Sequence, residues 1–356
     1  MAFRAIQGGV LAAGLLLAGA LPARASPYTS VYVFGDSLSD NGNLAEVFYR
    51  QNLPHPPSYQ NSFSNGPVAA QVLAGRLGLS LRPSLWVTGF RDTFGLYGSG
   101  FVPGTNYAVA AATAAASAVG GPPGINLPQQ VAAFGAATGG SADPNALYLV
   151  EIGGNDVRNA ALEGTGSAAV AAGVQTEVAA VQALLALGAR NLLVVNVPDI
   201  GIIPEFTQDN PGLTGTATRL TQQYNAGLAA GLAGLAVPSG ASVIPFDLSS
   251  YNLSLLSDPS RVGLTNVTDR CYVATPVSAA TSPQCGPGAE NIGGFAYWDA
   301  IHPTATLQAL WADGFGRALA VAVPEPSSMA LFGCGLLGLA GLRRRRARPE
   351  AAGATA

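Results

Sequence analysis

Apolar residues fall in two rhythms along this chain. One is the short unbroken run that stops at glycine or at a polar turn. Val31 to Phe34 is such a run; it ends at Gly35 and gives way to Asp36, Ser37, Ser39 and Asp40. Ala146 to Asp156, Arg190 to Ile200 and Ser242 to Leu248 repeat the pattern. Runs of this length, bounded by turn residues, predict buried strands. The other rhythm is helical spacing. It covers Pro67 to Leu79, where Pro67 suits a first turn, then Ser167 to Ala189, closed near Gly188, and Leu220 to Ala236. Strands that alternate with helices and are apolar throughout predict a parallel sheet covered on both faces. Ligands bind such sheets at the carboxyl ends of strands, where Ser37 and the Gly153-Gly154-Asn155-Asp156 stretch fall. Two segments, Pro54 to Gly66 and Ser80 to Gly104, are long, loop-like and rich in Pro, Ser, Asn and aromatics. They read either as walls of a binding cleft or as surface insertions.

Composition narrows the class. The 356 residues are 49% apolar and only 10% charged, which excludes disorder and suits a sizeable core. Every basic residue is Arg, and four of them stand together at Arg343 to Arg346. No basic stripe interleaved with aromatics occurs, so nucleic acid is not an expected partner.

The two ends read as targeting devices. Arg4, an apolar run from Val10 to Leu21 and the triplet Ala23-Arg24-Ala25 follow the order of a secretory signal, with cleavage expected after Ala25. The segment from Val323 carries Pro324-Glu325-Pro326, an apolar stretch from Met329 to Leu342 and the arginine block. That stretch is marginal for a full membrane span, and the arginines would hold its end in the cytoplasm. The expected organisation is therefore a signal peptide at 1–25, a functional domain at 26–322 and a terminal segment at 323–356. Of three cysteines, Cys271 and Cys285 share one Gly/Pro/Ser/Thr-rich loop, and Cys334 lies in the terminal apolar stretch. In an exported chain the first two are expected to pair as a disulfide. A metal pair is the other reading, though no His or further Cys is near.

Histidine is scarce. His55 sits among prolines and reads as an exposed loop residue; His302 follows Asp299 by three. A serine nucleophile needs a base, and the base needs a carboxylate to fix its tautomer. Ser37, His302 and Asp299 can supply all three. Acyl transfer also needs donors for an oxyanion, and the Asn155 amide is a candidate.

Four stretches, FGDSLSDNGN, GTNYAVAAAT, IGGND and DAIHPT, occur in this order and resemble the sequence blocks of the SGNH, or GDSL-type, hydrolases. The resemblance extends over about residues 30 to 320. It implies a three-layer α/β/α sandwich with a central parallel sheet, flavodoxin-like in type. It also implies Ser37 as nucleophile, His302 as base, Asp299 as its orienting acid, and an oxyanion hole from the Ser37 N–H, Asn155 and the second block. That block usually offers a glycine N–H; here Ala111 stands in its place, keeps the N–H and adds a methyl group. The chemistry so implied is metal-free and cofactor-free ester hydrolysis by an acyl-enzyme. The substrate class is a lipid or acylated-glycan ester. A carbohydrate O-deacetylase acting on exopolysaccharide, or a catalytically weakened surface binding protein, are the alternatives. The terminal segment resembles the PEP-CTERM sorting signal. That resemblance implies export, recognition by exosortase-type machinery, and a transient inner-membrane anchor before a cell-surface or extracellular destination.

Overall fold

The computed structural model describes residues 26–44, 62–88, 103–115, 124–274, 279–281 and 292–322. The expected signal segment, His55, Cys285, Cys334 and the terminal segment beyond residue 322 lie outside the described residues. The chain divides into a unit from Met1 to Gly316 and a second from Arg317 to Ala356. Of the second, the described part is the end of a helix.

Four parallel strands form the centre: β1 (Val31–Gly35), β2 (Leu147–Glu151), β3 (Asn191–Val195) and β4 (Ser242–Phe246), in that spatial order. Val31 pairs with Leu147, Leu147 with Asn191, and Asn191 with Ser242, so the four apolar runs lie in register. Every residue of β2 is buried, as expected for an inner parallel strand, whereas β4 is half-exposed. Two extended segments continue the sheet beyond β1. The Val33 N–H donates to Thr105 at 3.1 Å, and the Tyr107 N–H donates to Val33 at 2.7 Å. The Asn106 N–H then donates to Arg82 at 3.0 Å. The chain thus leaves β1 toward one side and returns to β2 on the other. The carboxyl ends of β1 and β2 flank this reversal, the usual place for a ligand in an open α/β sheet.

Helices cover the sheet in two packed groups. α1 (Ala69–Arg76) belongs with two later helices, α6 (Leu248–Ser257) and α7 (Ala305–Ala322). The Gln308 side chain of α7 accepts from the Ala69 N–H at 2.8 Å, Arg76 pairs with Asp313 at 3.0 Å, and Tyr251 of α6 donates to Leu310 at 3.1 Å. The other group is α2 (Leu127–Ala137), α3 (Gly154–Glu163), α4 (Gly166–Leu187) and α5 (Thr214–Ala233). Here α4 packs on α2, α3 and α5. The abundance of small residues has its use in this group: a side chain at Gly231 of α5 would come within 2.5 Å of Val178 of α4. The result is a three-layer α/β/α arrangement. Four short strands lie apart from the main sheet: β5 (Asn266–Arg270), β6 (Tyr272–Ala274), β7 (Ala279–Thr281) and β8 (Phe295–Tyr297). β5 pairs with β8, and β6 with β7.

The expected strands and helices are present, with two revisions. α5 starts at Thr214 and not at Leu220, because its first turns carry Thr, Gly and Arg with no apolar stripe to mark them. The Gly-Gly-Asn-Asp stretch, read as a turn, is the first turn of α3. Its N-cap, Gly153, has φ of 103°, and a side chain there would meet the Tyr224 ring at 2.4 Å.

Candidate active site

Ser37 stands where β1 ends. The turn is tight: the Asp36 carbonyl accepts from Ser39 N–H at 3.1 Å and Asp40 N–H at 2.9 Å. Gly35 permits it, since a side chain there would lie 2.3 Å from the Glu151 carbonyl of the neighbouring strand. Ser37 is 8% exposed, so its hydroxyl is held at the surface of the core and not in bulk water. Its N–H has no acceptor among the described residues.

His302 reaches that hydroxyl from the far end of the domain. Nε2 lies 2.8 Å from Ser37 Oγ, across 265 positions of sequence. Nδ1 lies 2.8 Å from Asp299 Oδ2. The Asp299 carboxylate therefore selects the tautomer with the proton on Nδ1, leaving Nε2 to accept from Ser37. Asp299 also accepts the Ile301 and His302 backbone N–H groups at 2.8 and 2.7 Å, which folds the loop around it. The Phe63 ring lies 5.3 Å from the imidazole, tilted by 41°. The described end of the first long loop thus walls the histidine.

Electrostatics follow from burial and pairing. Burial alone would raise the Asp299 pKa, but attraction to His302 and the hydrogen bonds it accepts bring it below the usual value. Burial alone would lower the His302 pKa. The Asp299 carboxylate, with a further contribution from Asp36, outweighs that and raises it. Asp36 itself, buried beside the nucleophile, is pushed up to about 7, mainly by desolvation.

The Ala111 segment runs along the end of β1, where the Val109 N–H donates to the Gly35 carbonyl at 3.1 Å, and it is pinned by side chains from the turn after β1 and from the first turn of α3. Asp40 Oδ2 accepts the Ala110 N–H at 2.8 Å. Asn155 Nδ2 donates to the Ala112 carbonyl at 2.9 Å. Asp156 accepts the Ala114 and Ala115 N–H groups at 2.8 and 3.0 Å. Ala111 has φ of 67°, a left-handed conformation that costs a non-glycine residue about 1–2 kcal/mol. Its N–H has no acceptor among the described residues. The backbone has kept the shape a glycine would take, and the methyl group is tolerated. Asn155 lies in the first turn of α3, where the helix dipole adds positive potential. Its amide spends one hydrogen on Ala112 and has a second to offer.

Ser37, Asp299, His302, Ala111 and Asn155 are thus brought to one place. Cys271 is fully buried in a cluster with Tyr272, Phe295 and Trp298, while its expected partner Cys285 lies outside the described residues. Other residues that build the site escaped the sequence reading. Asp40 caps the Gly42, Asn43 and Leu44 N–H groups besides holding Ala110. Arg158 pairs with Glu205 through Nε–Oε2 and Nη2–Oε1 contacts of 2.5 Å each, and the Glu205 N–H donates to Ala300 at 2.9 Å. That chain ties α3 to the loop of His302. Asp40 lies in a conspicuous polar run and could have been suspected; Glu205, in a π-turn far from any motif, carried no signal.

Family comparisons agree with this geometry. The model of the GDSL-like lipase/acylhydrolase family matches residues 31–315, and the PEP-CTERM protein-sorting motif matches residues 322–346. Esterase EstA of Pseudomonas aeruginosa is 30% identical over 338 residues, covering 88% of this chain and 50% of its own length. A Pseudomonas putida protein encoded in the trpE-trpG intergenic region is 30% identical over 305 residues, covering 81% of this chain and 48% of its own. GDSL esterase/lipase EXL2 of Arabidopsis thaliana is 26% identical over 330 residues, covering 77% of this chain and 84% of its own. The chain spans about half the length of the two Pseudomonas relatives. With a family match from the first strand into the last helix, this chain belongs to the GDSL-like lipase/acylhydrolase family and carries a PEP-CTERM sorting motif after it.

Proposed function

We propose that this protein is an exported serine ester hydrolase that works through an acyl-enzyme. The observation that carries the reading is the hydrogen-bonded line from Ser37 through His302 to Asp299, with both links at 2.8 Å. His302 takes the Ser37 proton as Oγ attacks the ester carbonyl. The N–H groups of Ser37 and Ala111 and the free Asn155 amide hydrogen receive the oxyanion of the tetrahedral intermediate. Collapse expels the alcohol, which takes the proton from His302. Water then attacks the acyl-enzyme with His302 as base, and Ser37 leaves with its proton restored. Asp299 keeps the imidazole oriented and stabilises its cationic form throughout. Relatives named esterases support the ester as substrate.

Residues 1–25 act as a cleaved signal, and the domain from 26 to 322 carries the chemistry. The segment from 323 onward is read by exosortase-type machinery and anchors the chain in the inner membrane until sorting. Cys271 and Cys285 close the loop before β8.

The test uses the full chain. A fluorophosphonate probe should label Ser37, located by peptide mapping, and short nitrophenyl esters should be hydrolysed. Ser37→Ala should lose both. Equal hydrolysis by the wild type and Ser37→Ala, or labelling at another residue, would overturn the reading.

A further inference from the structure

A cavity opens beside Ser37 and Asn155, on the side of the segment that follows β3. Its volume is about 40 Å³, room for about three water-sized groups at ~10–15 Å³ each. Ile200, Ile203 and Ile301 give it apolar walls, and Pro198 and Pro303 stiffen the chain on two sides. Ile200 and Ile203 are themselves buried, so these walls are fixed by the core.

Of the other polar side chains that line the cavity, Arg158 is engaged by Glu205 and Asn252 by Trp311, and Tyr297 and Asp199 are the two that bear on an alkyl chain. The Tyr297 side chain lines it, is 3% exposed, and its hydroxyl has no hydrogen-bond partner among the described residues. The Asp199 carboxylate lines the same cavity, and burial together with that negative charge raises the Tyr297 pKa. Asp199 is already committed, accepting from the Thr218 hydroxyl at 2.9 Å and the Gly201 N–H at 2.9 Å. An acyl chain of two to four carbons would fill the apolar part and leave the Tyr297 hydroxyl to a water. A longer chain would displace that water and strand the hydroxyl, which is unfavourable.

We propose that this cavity receives the acyl group of the ester, and that its size and the Tyr297 hydroxyl restrict the substrate to short acyl chains. The inference rests on Ser37 being the nucleophile. Ile203 sets the room available, and Tyr297 sets where apolar contact must stop. Both are specificity-determining residues and neither takes part in proton transfer.

The test compares kcat/KM of the full chain on nitrophenyl acetate, butyrate and octanoate. The wild type should favour acetate or butyrate over octanoate by about tenfold or more, since a chain too long for the cavity strands the buried Tyr297 hydroxyl, and leaving a buried donor unpaired costs roughly that factor. Ile203→Ala adds room and should raise the octanoate-to-acetate ratio about tenfold. Tyr297→Phe removes the stranded hydroxyl and should raise the same ratio. Fluorophosphonate labelling of Ser37 is measured in each protein. Where Ser37 labels normally but octanoate is the best wild-type substrate, or neither variant moves the ratio, the acyl-pocket assignment is overturned while the nucleophile stands. Failure of Ser37 to label in the wild type would overturn the nucleophile and the pocket with it.

Discussion

Asp299 holds His302 twice, through the ring Nδ1 at 2.8 Å and through the backbone N–H at 2.7 Å. One carboxylate fixes both where the imidazole sits and which nitrogen carries its proton. Asp299→Asn keeps an acceptor for the backbone but favours the wrong tautomer. It should lower kcat by about four orders of magnitude. The charge matters separately. The folded His302 pKa is raised, and the base works only when neutral, so the acidic limb of kcat/KM should fall above the ordinary histidine value of 6.5. Asp299→Asn removes the main cause of that rise and should move the limb to lower pH. A pH–rate profile in which the limb stays put would contradict this role for Asp299.

Ala111 already has the left-handed backbone that a glycine would take in the oxyanion hole we propose. Ala111→Gly should therefore leave kcat within about twofold and relieve strain, raising stability by up to about 1 kcal/mol after the added chain entropy of glycine. Ala111→Val should be markedly destabilising at the same position. Asn155→Ala removes a donor without replacing it and should cost about 10² to 10³ in kcat. Denaturant titration beside steady-state kinetics separates strain from donation. A large rate gain in Ala111→Gly would mean the N–H is misplaced in the native chain.

Beneath the site lie buried carboxyl groups whose pKa values burial has raised: Asp36 and Glu151 to about 7, Asp156 to about 6 and Glu177 to about 8. In the unfolded chain such groups titrate near 4. Between about pH 4 and 8 the folded protein therefore binds more protons than the unfolded one. Stability should fall as pH rises through that window and be greatest on its acidic side. Glu177 accepts from the Tyr224 hydroxyl at 2.6 Å, and its other oxygen has no partner among the described residues. Glu177→Gln cannot ionise, so its melting temperature should fall less between about pH 5.5 and 8.5 than that of the wild type. Parallel melting curves for the two proteins would refute the assignment.

Cys271 belongs to a buried aromatic cluster in which the Tyr272 and Trp298 rings stack at 5.2 Å, next to the loop of Asp299 and His302. A Cys271–Cys285 bond would fasten that loop. Non-reducing peptide mapping of the exported protein should find the two linked. Reduction should lower the melting temperature and, through His302, the rate. Two free thiols would remove this fastening from the account.

The sheet was legible because β1, β2 and β3 are buried on both faces and so written as unbroken apolar runs, and the half-exposed edge strand β4 still carries a short apolar run of its own. Ser37, Asn155 and His302 were legible for another reason, since each sits in a short polar block at the end of an apolar element. What was not legible was support supplied from a distance. Nothing local marks Glu205 as the partner of Arg158, or Tyr224 as the side chain that closes over Gly153. The start of α5 was hidden too, because Thr214 to Arg219 form helix by continuing turns that later residues anchor, with only Ala217 buried among them. The left-handed backbone at Ala111 was signalled only through the resemblance, which sets a glycine at that position. The alanine itself gives no such sign, and Asp40, Asn155 and Asp156 hold the residues on either side of it in place.

The 265 positions between Ser37 and His302 also order events in time. A chain that crosses a membrane amino end first delivers its serine long before its histidine. Until the last helix is about to emerge, the serine is an ordinary alcohol with no base beside it. In an exported chain that works as proposed, esters at the exit of the translocation channel would thereby be spared attack by a half-emerged chain, and competence would arrive only when the domain is nearly whole.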